Sequence, residues 1–314
     1  MNISDAAARL RGMDRVLILT HVRPDGDTIG CASALCQALR DLGKEAYLLH
    51  NPEITATYEP YAAPYWAPEG WQPKHVVATD VAVPGLLPAN AETYLGHIAL
   101  AIDHHPSHSY FAAESYVDAA AAACGEILYA VIRELTAVTP AIALPLYVAI
   151  ATDCGCFAYG NTTARTHRIA AELMEVLGDV SAVNKALFRT KSKVRLAMES
   201  RMVADMELYD SGRVVVMSIP LSLRREMCAT EADIEELSAL AALVEGADCA
   251  ITLRELREGV IKVSLRTGPR VNATEVCARL GGGGHRAAAG ATVEGTLESV
   301  KTAVLAAVEE VVGA

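Results

Sequence analysis

His21, Asp25 and Asp27 stand within seven residues of one another in VLILTHVRPDGDTIG, between an apolar run and two glycines, Gly26 and Gly30. An imidazole and two carboxylates on one strand-to-helix turn can converge on a divalent cation without crossing any tertiary distance. The turn also has a plainer use, because Asp-Gly-Asp segments cap helices, here with Asp27 as N-cap. Taken alone it reads as a cap, and the choice depends on what the rest of the chain brings to it.

Three further stretches end in the same way. KHVVATD closes on Asp80, HIALAIDHH on Asp103, His104 and His105, and a helical segment over 141–152 delivers Asp153. Apolar runs near 16, 44–50, 74–80 and 97–105, with a helix over 28–42 stopped by Gly43, predict an α/β fold with a buried parallel sheet and flanking helices. In such a sheet, groups beyond the carboxyl ends of the strands face one shared crevice. Asp25, Asp27, Asp80 and residues 103–105 are therefore expected to gather there. His21, Asp25, Asp27, Asp80, His104 and Asp153 supply six hard or borderline ligands and no thiolate. Without cations they would leave an uncompensated cluster of negative charge. Carboxylates with imidazole suit Mn²⁺ or Mg²⁺, with Co²⁺ a further candidate, better than structural zinc. Six ligands with one bridging carboxylate suffice for two ions about 3.5 to 4 Å apart.

Composition narrows the possibilities. The 314 residues allow two domains, and 52% hydrophobic with 21% charged residues describes a globular chain with few aromatic anchors, phenylalanine contributing three. No apolar run approaches the roughly 20 residues that span a bilayer, and MNISDAAARLRG lacks a basic region followed by an apolar core, so a cytoplasmic protein with no membrane partner is expected. The eight cysteines lie scattered in apolar stretches, where reduced buried thiols are the norm. Cys154 and Cys156 flank Gly155 beside Asp153, yet no second pair at zinc spacing accompanies them. The net charge of −11 repels long polyanions, so a nucleic-acid substrate should be short and gripped locally, with no long duplex. His50, His75, His97, His108 and His167 lack acidic companions at ligand spacing and read as structural or solvated.

The segment 51–73 is rich in proline and carries Tyr58, Tyr61, Tyr65, Trp66 and Trp71, too broken for regular structure; it could stack a nucleobase or cover the sheet edge. A helix opens at about Thr163. From 178 to 209 the pattern turns into a charged helical stretch with Arg189, Lys191, Lys193 and Arg195, a connector whose basic run could line a cleft and hold phosphates. Three segments follow: a first domain over 1–185, a helical linker over 186–209 and a second domain over 210–314. The last begins with a strand at 213–219 and a helix over 231–245. A hairpin over 248–256 and 259–266 turns at Glu258-Gly259, and a helix over 273–280 runs into Gly281, Gly282, Gly283, Gly284 and His285. Four successive glycines stabilise neither helix nor strand, so they are expected to bring backbone N–H groups close to an anion, with Arg266 and His285 beside them.

HVRPDGDTIG, the aspartate ending VVATD, the DHH triplet at 103–105 and ATDCGCF around Asp153 resemble the four motifs of the DHH phosphoesterase superfamily. SLRTGPRVNATEVCARLGGGGHRAAAG resembles its glycine-rich DHH-associated C-terminal domain. Length, order and spacing look most like the bifunctional oligoribonuclease and pAp phosphatase branch, over nearly the entire chain. The resemblance implies one Mn²⁺ held by His21, Asp25 and Asp80, and a second held by Asp27, Asp80, His104 and Asp153. Asp80 would bridge, Asp103 would orient a neighbouring ligand, and His105 would face the substrate phosphate. Arg266 and Gly282, Gly283, Gly284 and His285 would hold the nucleotide or its terminal phosphate. The chain departs from the pattern at Cys31 (usually serine), Cys154 (usually threonine) and Ala158 (often arginine).

The reaction so implied is in-line hydrolysis at phosphorus by a hydroxide bridging two metals, acting on short oligoribonucleotides or on the 3'-phosphate of pAp, with a second domain that closes over the substrate. Related enzymes are often homodimers. Cleavage of cyclic or linear dinucleotides is the chief alternative, and polyphosphate or pyrophosphate hydrolysis is more distant. A catalytically silent nucleotide-binding module is the rival from another class.

Overall fold

The structure, a computed structural model, describes residues 1–312 and divides into two units, Met1–Thr190 and Lys191 onward. The first runs α1 (Ile3–Arg11), β1 (Val16–Leu19), α2 (Gly26–Asp41), β2 (Ala46–Leu48), α3 (Glu59–Ala62), β3 (His75–Thr79), β4 (Ile98–Asp103), β5 (Glu114–Val117), α4 (Cys124–Leu135), α5 (Pro140–Asp153), α6 (Ala164–Leu177) and α7 (Ser181–Asn184). The five strands pair in parallel in the order β2-β1-β3-β4-β5. The two-residue period of a strand sorts the core. Val16 and Ile18 join an apolar cluster with residues of α1, α2, α4 and α5, while Leu17 and Leu19 join a second cluster with Leu87 and Ala91.

Two glycines set how closely α2 approaches α5. A Cβ on Gly26 would lie 2.3 Å from Thr152 Oγ1, and one on Gly30 would lie 2.3 Å from the Pro145 carbonyl oxygen. Only glycine fits at either position. The α2 N-cap is Asp25, whose carboxylate accepts hydrogen bonds from the Asp27 and Thr28 amides. Asp27, expected as the cap if the turn were only a cap, instead sits in the first helical turn and is buried.

The segment 51–73 is less broken than its prolines imply, since it carries α3 and a 3₁₀ turn over Ala63–Tyr65. It covers the sheet edge. Leu48 bridges to Trp66, the Ala67 amide donates to Leu48 O, and Tyr58, Tyr61 and Trp66 pack on the larger core.

The second unit comprises α8 (Lys193–Ala204), β6 (Glu207–Tyr209), β7 (Val214–Ile219), α9 (Leu221–Glu226), α10 (Glu231–Ile234), β8 (Cys249–Arg257), β9 (Val260–Thr267), α11 (Ala273–Arg279), β10 (Gly283–His285), β11 (Ala288–Glu294) and α12 (Leu297–Val312). Its six-stranded sheet has the order β10-β11-β9-β8-β7-β6, antiparallel except for β7 with β8. The hairpin β8–β9 turns at Gly259, whose φ is +74°. Three expectations change here. Residues 186–209 do not stand apart as a linker, because Met198 and Met202 of α8 are fully buried in the second unit's core. The helix expected over 231–245 is α10 followed by a 3₁₀ segment over Glu235–Leu243. The glycine run does form a strand, with Gly283, Gly284 and His285 opposite Gly290, Ala289 and Ala288. A Cβ on Gly284 would meet Ala289 Cα at 2.6 Å, and one on Gly282 would meet Gly290 O at 2.2 Å. Backbone crowding against β11 therefore requires glycine at both positions.

Candidate active site

Each acidic side chain singled out in the first unit is delivered by the end of an element. His21 and Asp25 lie between β1 and α2, Asp27 on the first turn of α2, Asp80 just past β3, Asp103 at the end of β4 with His104 and His105 after it, and Asp153 at the last residue of α5. Asp80 adopts φ +58°, a left-handed conformation that costs an aspartate about 1 to 2 kcal/mol. Its amide donates to Ile102 O at 2.9 Å, which fixes the carboxylate where three histidines face it.

The distances describe a shared cradle. His21 Nε2 lies 3.6 Å from Asp25 Oδ1 and 3.7 Å from Asp80 Oδ2. His104 Nε2 lies 3.5 Å from Asp80 Oδ1, 3.8 Å from Asp153 Oδ2 and 3.9 Å from Asp27 Oδ2. These gaps are too long for hydrogen bonds. They match donors that share one cation, each at about 2.0 to 2.2 Å and about 3 to 4 Å apart from one another. His21 with Asp25 and Asp80, and Asp27 with His104 and Asp153, each form a group whose ligand atoms lie within 4.8 Å of one another. Asp80 Oδ1 is buried and accepts no hydrogen bond among the described residues. An orphaned carboxylate oxygen in a ring of oxygen and imidazole donors fits a divalent cation.

The cradle's electrostatics point the same way. Burial opposes charge on His21, but the Asp25 and Asp80 carboxylates outweigh it and raise its pKa to about 11. Asp27 is pushed well above the usual carboxylate range by burial and then by the negative charges of Asp80, Asp153 and Asp25. Burial also raises Asp153, to about 6, with His104 opposing and Asp80 adding to the shift. Positive charge placed between these carboxylates would favour the ionised form of Asp27 and Asp153.

A layer of hydrogen bonds orients the donors. Asp27 Oδ2 accepts from the Cys124 amide at 2.7 Å, and Oδ1 accepts from the Gly125 amide at 3.0 Å and from Cys31 Sγ at 3.2 Å. The first turn of α4 thus grips the carboxylate, and Cys31 keeps a donor where a serine hydroxyl is usual. Asp103 is fully buried, and its Oδ1 accepts from the His104 amide at 2.8 Å while pairing with His105 Nδ1 at 2.8 Å. Burial would raise Asp103, but His105 and His108 hold it well below the usual range. His105 is raised to about 9, first by that bond to Asp103. His105 Nδ1 also lies 3.6 Å from Asp80 Oδ1, but with that nitrogen committed to Asp103 only Nε2 is left for a further partner.

His108 is the residue that spacing missed. Read as structural or solvated and without an acidic companion, it is buried, and its Nδ1 bonds Asp103 Oδ2 at 2.9 Å. Its place five residues after Asp103 was the available signal. The amides of Cys124 and Gly125 carried none, because backbone donors have no side-chain signature. Cys154 is buried and Ala158 exposed, and no thiol enters the donor groups. Arg266 lies on β9, where its Nη1 donates to Leu265 O, and Gly283, Gly284 and His285 form the exposed strand β10 at the edge of the second sheet.

Known proteins are similar to this chain in sequence and in fold. The DHH family N-terminal domain matches residues 15–150, and the DHHA1 domain matches residues 228–314. The bifunctional oligoribonuclease and PAP phosphatase NrnA of Thermus thermophilus is 34% identical over 301 residues, covering 94% of this chain and 89% of that protein. An exopolyphosphatase-related protein of Bacteroides fragilis superimposes with a TM-score of 0.88 at 20% identity, covering 98% of this chain and 95% of that one. RecJ of Thermus thermophilus, solved in complex with Mn²⁺, gives a TM-score of 0.52 at 14% identity and covers 99% of this chain and 54% of that one. No helix among the described residues is long and apolar enough to cross a membrane. With the four acidic strand and helix endings in place and a relative this similar over almost the full length, the chain belongs to the DHH family, on its bifunctional oligoribonuclease and PAP phosphatase branch.

Proposed function

We propose that the protein is a divalent-cation-dependent phosphoesterase that hydrolyses short oligoribonucleotides to mononucleotides and removes the 3'-phosphate of pAp. The observation that carries this reading is the buried, unpartnered Asp80 Oδ1, flanked by His104 Nε2 at 3.5 Å and placed between two donor groups. In this reading His21, Asp25 and Asp80 hold one ion and Asp27, Asp80, His104 and Asp153 a second, Mn²⁺ being favoured by the donor chemistry. Bound there, the ions supply a water of lowered pKa and offset charge on the phosphoryl oxygens. The chain's own groups position the substrate. His105, held through Nδ1 by Asp103 and kept cationic, offers Nε2–H to a non-bridging oxygen. In the second unit, Arg266, Gly282 and the edge strand of Gly283, Gly284 and His285 take the nucleotide's terminal phosphate. The net charge of −11 favours substrates of about two to five nucleotides over long duplexes.

The test is one panel under a single Mn²⁺ condition: pAp, short RNA, cyclic di-AMP and polyphosphate, with wild type and Asp80→Ala. Wild type should release product fastest from pAp and short RNA, lose activity in chelator and regain it with Mn²⁺. Asp80→Ala should lose at least about a thousandfold. Full Mn²⁺-dependent activity in Asp80→Ala would overturn the metal assignment, and preference for polyphosphate would overturn the substrate assignment.

A further inference from the structure

Immediately after Asp153 the backbone takes a conformation that side chains resist. Gly155, Cys156 and Phe157 have φ of +54°, +54° and +67°, three successive left-handed residues of which only one is glycine. The turn is held by dedicated bonds. The Cys156 amide donates to Ala151 O at 2.7 Å, the Tyr159 amide to Cys154 O at 3.1 Å, and Asn161 Nδ2 to Ala122 O at 2.9 Å and Asp153 O at 3.1 Å. Phe157 anchors it inward, its ring centroid 6.1 Å from that of Tyr147 and 5.5 Å from that of His167.

Tyr159, the next aromatic, goes the other way and is 60% exposed. A Cβ on Gly155 would lie 2.4 Å from Tyr159 Cε1 and Cζ and 2.6 Å from Cε2. Nearly equal distances to three ring carbons place the glycine against the face of the ring rather than its edge, and the opposite face is left to solvent. Gly155 is two residues from Asp153, so their Cα atoms lie within about 7 Å. A strained, bonded turn thus presents one open aromatic face within a nucleotide's length of a cradle carboxylate.

We propose that Tyr159 is a stacking platform for the nucleobase beside the scissile phosphate, and so a residue that selects nucleotides over other phosphoesters. The inference rests on the nucleotide-phosphoesterase reading above. Aromatic faces stack any base, so the platform gives preference for a base without preference for its identity. The turn pre-sets the ring, so little freedom is lost when a base arrives.

Turnover by wild type, Tyr159→Ala and Tyr159→Phe is compared on a 5'-phosphorylated diadenylate and on the same dinucleotide lacking both bases, with Mn²⁺ affinity measured by calorimetry. Tyr159→Ala should lower kcat/KM for the diadenylate about ten- to a hundredfold, mostly through KM, and change the abasic substrate less than about twofold. Tyr159→Phe should keep both rates, and Mn²⁺ affinity should be the same in all three. Equal loss on both substrates, or no loss on either, overturns the platform while leaving the phosphoesterase reading intact. A wild type that cleaves neither overturns that reading, and the platform with it.

Discussion

The cradle of the first unit and the glycine run of the second differ in what their residues are for. At the ends of β1, β3, β4 and α5 the chemistry resides in side chains, and the backbone is bent to serve them, down to the left-handed Asp80. At 282–284 two glycines answer to the backbone itself, which lies so near β11 that no Cβ fits at Gly282 or Gly284, whereas Gly283 faces open space. Residue type therefore reports function directly in the first region. In the second it reports packing first, since β11 requires glycine at positions 282 and 284 before any ligand is considered.

Four substitutions would sharpen or break this contrast. Asp27→Asn should have the largest effect, a loss of Mn²⁺-dependent turnover of about a thousandfold or more, because an amide nitrogen would face the Cys124 or Gly125 N–H that now donates to a carboxylate; single-turnover kinetics with short RNA measures it. Gly284→Ala should destabilise the protein by about 2 to 3 kcal/mol in thermal or urea unfolding, since its Cβ meets backbone that cannot move aside. Asp103→Asn should lower turnover about 10- to 100-fold through loss of the bonds that orient His105 and the His104 amide, with the fold preserved in far-UV circular dichroism. Gly283→Ala should change unfolding free energy by less than about 0.5 kcal/mol. A rise in KM for pAp there would mark β10 as a substrate contact, and an unchanged KM would leave the run purely structural.

The cradle was legible because its donors come from the ends of strands and helices, where an apolar run closing on a carboxylate is visible in one dimension and parallel topology gathers the strand ends. β1, β3 and β4 were legible for the same reason. β5 was not, since Glu114–Val117 is a four-residue, half-buried edge strand with polar members and no apolar run. His108 escaped because its acidic partner lies on a strand end that only the turn after β4 brings back to it. The aromatic cluster at 58–71 was open between base stacking and edge covering, and only packing against β2 decided it. In α8 the charged residues suggested a solvated connector, while Met198 and Met202, two methionines among them, were the part that packs.

The tight contact of α2 with α5 has a consequence for mutational risk. Gly26 and Gly30 carry no chemistry, yet adding a single methyl group to either would wedge the two helices apart and separate Asp27 from Asp153. The gauge of the catalytic cradle is thus kept by hydrogen atoms, and the surface over which a change can silence the enzyme extends well beyond the residues that handle phosphate.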